Sequence, residues 1–107
     1  MFSGKRYMTI GVEEEIGLDT QMILWSMIDE LRKNDKFILD YLQVFELEPT
    51  EIEGEDFQRI THRQEIPAYA HTKTASVEKP VSGKIFVISS RNENGEEYST
   101  MMLSREY

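Results

Sequence analysis

Apolar positions recur along the chain with two different periods, and each period predicts a different element. Residues 7–12 alternate apolar and polar side chains, which is typical of a half-buried β-strand. Further on, the i, i+3, i+4, i+7 spacing of an amphipathic helix is followed by Leu24, Met27, Ile28 and Leu31. We therefore predict a first strand over 7–12 and one main helix over about 18–34.

The middle of the chain carries β patterns that are separated by turn-forming residues. Residues 37–47 and 57–66 are rich in alternating apolar and β-favouring side chains, so we predict a strand in each. Pro49 and Pro67 are expected to end these strands. The acidic segment 48–56 contains both proline and glycine, which predicts a solvated loop.

The last third of the chain has the clearest β pattern. Residues 84–89 and 98–103 are joined through 92–95, where an Asn-Gly pair tolerates the positive φ angles of a hairpin turn. Residues 69–77 are rich in threonine and fit either an edge strand or an irregular connection. Together these patterns predict an α+β fold, an antiparallel or mixed sheet of four to six strands with one main helix (about 18–34) packed on one face. A chain of 107 residues is expected to form a single domain over 1–107.

Composition restricts the chemistry that this chain can perform. It has no cysteine, which excludes disulfides, thiol catalysis and cysteine-bound metals. Residues 1–6 lack the apolar core of an export signal, and the apolar run 22–25 is too short to span a bilayer. We expect a cytoplasmic protein that does not enter the membrane and that uses no cofactor.

Several segments in combination resemble one family. They are Lys5-Arg6-Tyr7-Met8-Thr9, Leu24-Trp25-Ser26-Met27-Ile28-Asp29-Glu30-Leu31, Asp40-Tyr41-Leu42-Gln43-Val44-Phe45-Glu46-Leu47, Gly83-Lys84-Ile85-Phe86-Val87-Ile88 and Thr100-Met101-Met102-Leu103. The chain is similar in these segments to a small family of Gram-positive bacterial proteins that is known only as a domain of unknown function. The resemblance implies a cytosolic bacterial protein without an assigned activity, and it carries over no functional residue.

Charge is distributed unevenly along the chain. The net charge of −8 opposes binding to polyanions as a whole. Residues 1–56 hold five basic and fourteen acidic side chains, whereas residues 57–91 hold six basic and only two acidic ones. The basic segment could bind an anion or single-stranded nucleic acid, or its cations could pair with the acidic half of the chain. We favour pairing, because exposed basic stripes of this size are common.

Candidate binding residues cluster in the basic segment. They are Arg59, His62, Arg63, Tyr69, His71 and Lys73. Alternation predicts that Arg59 and Arg63 share one strand face, and Tyr69 could stack on a base. The two histidines match no metal-ligand spacing, so we expect no metal, and we expect His62 to be a half-buried sheet residue.

No catalytic motif is present in the sequence, which contains no nucleophile elbow, phosphate-binding glycine loop or zinc-protease pattern. We therefore predict a protein-binding or regulatory module with an unknown protein partner, in which an exposed sheet edge could also support a homodimer. A regulator that binds nucleic acid or another anion through 57–91 is one alternative. An enzyme of unrecognised type is the other.

Overall fold

A computed structural model describes all residues of the chain, 1–107. Its elements in chain order are β1 (Lys5–Met8), α1 (Ile10–Glu15), α2 (Leu18–Arg32), β2 (Leu42–Ile52), β3 (Glu55–Gln64), β4 (Tyr69–Ala75), β5 (Gly83–Arg91), β6 (Glu97–Leu103) and a 3-10 turn (Ser104–Glu106).

The strands form one sheet in the order β1-β6-β5-β2-β3-β4. Only β1 and β6 are parallel, and every other neighbouring pair is antiparallel. The predicted α+β class, with a mixed sheet and one main helix, is confirmed. Neither helix is long and apolar enough to cross a lipid bilayer.

The predicted first strand over 7–12 is wrong in its second half. The strand ends at Met8, and Thr9 caps the short helix α1, where its hydroxyl accepts a hydrogen bond from the backbone N–H of Val12 at 3.3 Å. Val12 and Ile16 are buried one helical turn apart. Alternation over six residues is too short to separate a strand from a strand followed by a capped helix.

The predicted acidic loop over 48–56 is also wrong, because β2 continues through Pro49 to Ile52 and pairs with β3 in a hairpin. Beyond Leu47, β2 has no strand partner on its other side, so a proline there removes no hydrogen bond from the interior of the sheet. The hairpin turns at Glu53 and Gly54, whose φ angles are 52° and 83°. Many acidic side chains are tolerated here because this end of the hairpin is exposed.

The predicted strand over 37–47 is wrong in its first five residues, because β2 begins only at Leu42. The other strand predictions agree with the structure within about two residues. Strand β3 begins at Glu55 instead of residue 57, and β5 and β6 form the expected hairpin. Residues 69–75 form β4, which is the edge strand of the two alternatives for this segment.

The sheet has two unlike faces, which we name the buried face and the open face. The hydrophobic side chains buried on the first are Phe45, Leu47, Ile60, Ile85, Val87, Met101 and Leu103. Leu24, Met27 and Ile28 of α2 belong to the same hydrophobic cluster. No side chain is fully buried on the open face, where the alternate residues of each strand lie. One side of the sheet therefore contributes most of the core.

Candidate functional site

The alternation of β3 separates the candidate residues between the two faces. Arg59 and Arg63 lie on the open face, as predicted, whereas His62 lies on the buried face. The neighbouring strand β4 places the other three candidates on the same side as His62, and these are Tyr69, His71 and Lys73. The six candidate residues therefore form two separate groups.

The two arginines are already paired within the chain. Arg59 lies directly opposite Glu48 on β2, and its Nε donates to Glu48 Oε1 at 2.9 Å. Arg63 forms an ion pair with Glu46 of the same strand. Both carboxylates come from the acidic half of the sequence, as the pairing interpretation predicts. The positive charges of Arg59 and Arg63 are therefore neutralised by neighbouring glutamates, which lowers the attraction of this surface for polyanions.

The other four candidates line one small cavity of about 250 Å³ between the sheet and α2. Strand register places His62 opposite His71 and Ile60 opposite Lys73. Helix α2 completes the lining with Ser26, Met27 and Glu30. The cavity thus combines two imidazoles, a phenol, an ammonium and a carboxylate around an apolar methionine.

His62 is fully buried instead of half-buried, which corrects the expectation from the sequence. Its ring stacks on Phe45 with centroids 4.3 Å apart, and Tyr69 meets it edge-on at 5.4 Å. Burial, and to a smaller extent the nearby His71, lower the pKa of His62 from 6.5 to about 4. At neutral pH the ring is therefore uncharged.

A chain of buried amides determines which ring nitrogen of His62 carries the proton. The Gln64 amide nitrogen donates to the backbone carbonyls of Ile38 and Pro67, so its Oε1 faces Gln43. The Gln43 amide nitrogen donates to that oxygen at 2.7 Å, which leaves Gln43 Oε1 to accept from His62 Nε2, also at 2.7 Å. Nε2 is thus protonated and Nδ1 keeps a lone pair. Nδ1 is buried, and no protein group donates to it.

The polar groups at the cavity wall differ in how they are satisfied. Burial raises the pKa of Tyr69, so its hydroxyl stays protonated. Glu30 forms an ion pair with Lys33 at 3.2 Å, whereas Lys73 has no carboxylate within 4.0 Å. No group of three or more His, Asp or Glu side chains that could hold a metal ion is present. The cavity therefore offers an uncompensated positive charge and an unpaired acceptor.

Comparison with known proteins places the chain in a family. Residues 5–106 match the family described as "Staphylococcal protein of unknown function (DUF960)". The chain belongs to this family. No curated protein matches it. The chain is similar over its full length to a solved structure titled "Crystal structure of the protein of unknown function from Enterococcus faecalis", with 20% identity, a TM-score of 0.70 and 98% of that chain covered. The resemblance to an uncharacterised Gram-positive family is confirmed, and the neighbour supports the fold alone.

The sequence did not reveal two parts of this family member's cavity. Gln43 and Gln64, which orient His62, were missed, although Gln64 shares a period of two with Gln58, Ile60 and His62 along β3. When every second residue of a strand is either apolar or an amide, as here, the sequence can indicate that the amides lie on the buried face with the apolar residue. The α2 residues, in contrast, reach the cavity only through the tertiary fold.

Proposed function

We propose that this chain is a protein-binding module of the bacterial cytoplasm and that its open face binds a second copy of the chain. The observation that supports the proposal is the apolar centre of the open face, which holds no fully buried side chain and where the Tyr107 ring meets Phe86 edge-on, with centroids 5.5 Å apart. It consists of Leu42, Val44, Phe86, Ile88 and Met102, with Tyr7 and Tyr98 beside them. A large uncovered apolar patch on a folded domain is typical of an interaction site.

The apolar centre is continuous across four strands. Val44, Phe86 and Met102 lie opposite one another on β2, β5 and β6. At the β1 edge, the Tyr7 and Tyr98 rings pack edge-on with centroids 6.0 Å apart. Aromatic and methionine side chains are enriched at protein interfaces, and the aromatic ones bury much area with few rotatable bonds.

Charge on the open face supports a second copy as the occupant. Two chains with a net charge of −8 repel each other, so self-association needs a surface that is less acidic than the whole. Four basic and three acidic side chains lie on the open face of the strands: Lys5, Arg59, Arg63, Lys84, Glu46, Glu48 and Glu55. This face is therefore close to neutral, while most of the excess acid lies elsewhere.

The dimensions of the molecule also fit a dimer through this face. The chain measures 50 × 32 × 20 Å, and all six strands belong to one sheet. A stable interface buries about 800 Å² on each partner, which a face of this span can supply. Two-fold contact between identical faces is the commonest symmetry of homo-oligomers.

Sedimentation velocity over a range of concentrations tests the proposal. We expect a dimer for the natural chain and a monomer for Phe86→Glu, because the new carboxylate would lose its hydration among the apolar side chains of the interface. Ile66→Glu is the matched control, since Ile66 is 75% exposed and lies outside the strands, and it should remain dimeric. A natural chain that is monomeric at every concentration, or a dimer unaffected by Phe86→Glu, would contradict the proposal.

The nucleic-acid alternative has weaker support from the geometry, because Arg59 and Arg63 are paired with glutamates. If the basic segment binds single-stranded nucleic acid, the affinity must fall steeply with salt and be lost in the Arg59→Ala, Arg63→Ala double variant. The enzyme alternative would need a group in the cavity that reacts with a bound substrate, and His62 is the residue to examine.

A further inference from the structure

The cavity between α2 and strands β3 and β4 contains a group whose hydrogen-bonding capacity is unused. The amide chain from Gln64 through Gln43 requires His62 to donate through Nε2, which leaves Nδ1 as an acceptor. Nδ1 has no donor within the protein, although the side chain is fully buried. An unpaired buried acceptor costs about 1–3 kcal/mol, so a molecule that brings an N–H or O–H group to it is favoured.

His62 lies at the cavity wall, and its buried Nδ1 becomes accessible to a ligand only when the side chains that cover it move. The ring lies among the residues that line the cavity, stacks on Phe45 and meets Tyr69 edge-on. Nε2 is directed at Gln43, so Nδ1 is the ring nitrogen left for a ligand. The ligand atom that meets Nδ1 must be a donor, because the buried ring is uncharged at neutral pH.

The charge at the cavity wall defines the second property of the ligand. Lys73 lines the cavity without a carboxylate partner, and His71 lies beside it on the same face of β4. Glu30 already pairs with Lys33. The uncompensated charge is therefore positive, which favours an anionic group near Lys73 and a donor group near His62.

The size of the cavity sets an upper limit on the ligand. A volume of about 250 Å³ lies below the roughly 300–1,000 Å³ of sites for drug-sized molecules. Met27 and the Tyr69 ring supply an apolar wall for a short carbon skeleton. These dimensions fit a compound with a short carbon backbone.

We propose that this cavity binds a small hydroxylated anion, whose hydroxyl donates to His62 Nδ1 and whose carboxylate or phosphate pairs with Lys73. Tyr69 and His71 contribute further hydrogen bonds to the anionic group. This site does not include the open face, so the test of ligand binding is independent of the test of the proposed dimer. The shared chemistry of hydroxy acids and glycerol-type phosphates is the combination of an alcohol and an anion on adjacent carbons.

Nitrogen NMR of the histidine rings during titration with four compounds tests the proposal on the whole chain. Glycerate and glycerol 3-phosphate carry both groups, propionate lacks the hydroxyl and glycerol lacks the charge. We expect a saturable change of the His62 Nδ1 resonance with glycerate, glycerol 3-phosphate or both, and about ten-fold weaker binding of propionate and glycerol. Propionate leaves Nδ1 unpaired, at a cost of about 1–3 kcal/mol, and glycerol lacks the charge-assisted bond to Lys73, which contributes about 1.5–3 kcal/mol. The stronger of the first two identifies the anionic group.

Two lysine variants distinguish the site from general anion binding. Lys73→Met should weaken the better ligand by about ten-fold or more, because it removes the cation at the cavity wall. Lys36→Met makes the same change of charge at an exposed position outside the cavity, and it should leave the affinity unchanged. Equal weakening by both variants, equal responses to all four compounds, or an Nδ1 resonance that is already hydrogen-bonded and unmoved by any of them would overturn the proposal.

Discussion

Strand β3 carries polar side chains on both of its faces, yet the two sets are satisfied in different ways. On the open face, Arg59 and Arg63 form exposed ion pairs with glutamates of β2. On the buried face, Gln58, His62 and Gln64 are uncharged and hydrogen-bonded to amides and backbone carbonyls. Charge is placed where water screens it, and neutral polar groups are placed where they can be enclosed. The same strand therefore contributes solubility on one side and a specific polar interior on the other.

The largest difference between the faces is expected for one aromatic substitution made on each. Phe45 is fully buried, so Phe45→Ala should lower the free energy of unfolding by about 3–5 kcal/mol. Phe86 is only half-buried on the open face, so Phe86→Ala should cost about 1 kcal/mol in the monomer. Urea unfolding at low protein concentration measures both. Equal losses would show that the open face is as well packed as the buried one.

Lowering the pH should reduce the stability of the folded chain through protonation of His62 on the buried face. The unfolded chain protonates this ring below pH 6.5, whereas the folded chain resists protonation down to about pH 4. The unfolded state then binds more protons between these values, so the stabilisation from neutral His62 is complete above pH 6.5 and falls as the pH drops towards 4, by about 3 kcal/mol. Tyr69, His71, Lys73 and Glu30 share the cavity with the ring.

Unfolding experiments as a function of pH measure this loss, and NMR titration of the His62 ring provides the direct check. A ring that titrates near pH 6.5 in the folded chain would contradict the burial that produces the shift. The His62→Gln variant is the control for the carboxylates, because its stability should depend less on pH between 6.5 and 4 than that of the natural chain.

The amide chain is expected to contribute a smaller amount. Gln43→Leu keeps a side chain of similar size but removes the acceptor of His62 Nε2 and the donor to Gln64. We expect a loss of about 2 kcal/mol in the free energy of unfolding, because buried polar groups are left without partners. The neighbouring change Val44→Thr, on the open face, serves as the comparison and should cost less. A neutral Gln43→Leu would mean that the amide chain does not constrain His62.

The smallest effects are expected for the arginines. Arg59→Ala and Arg63→Ala each remove an exposed ion pair, so each should change the free energy of unfolding by less than about 1 kcal/mol, with a smaller change at high salt. Thermal unfolding at low and high ionic strength measures this. A loss above about 2 kcal/mol would show that these pairs stabilise the sheet more than exposed pairs usually do.

The spacing of apolar residues was sufficient to predict most helices and strands. It failed where the same spacing is compatible with two different secondary structures. The helical spacing of Leu24, Met27, Ile28 and Leu31 predicted α2 almost to its ends. The alternation over residues 7–12 fitted a strand, but the Thr9 cap divides it into β1 and α1. In the acidic hairpin, pairing between β2 and β3 overrode the turn propensity of Pro49, whereas Gly54 does form the turn.

The sequence by itself determined the α+β class, the main helix, the C-terminal hairpin and the shared face of Arg59 and Arg63, because each depends on periodicity between near neighbours. Only the tertiary structure decided that His62 is fully buried, that Gln43 and Gln64 orient its ring, and that Glu30 and Lys73 reach one cavity. These features depend on strands and a helix that are far apart along the chain, and their register and packing follow from the whole fold.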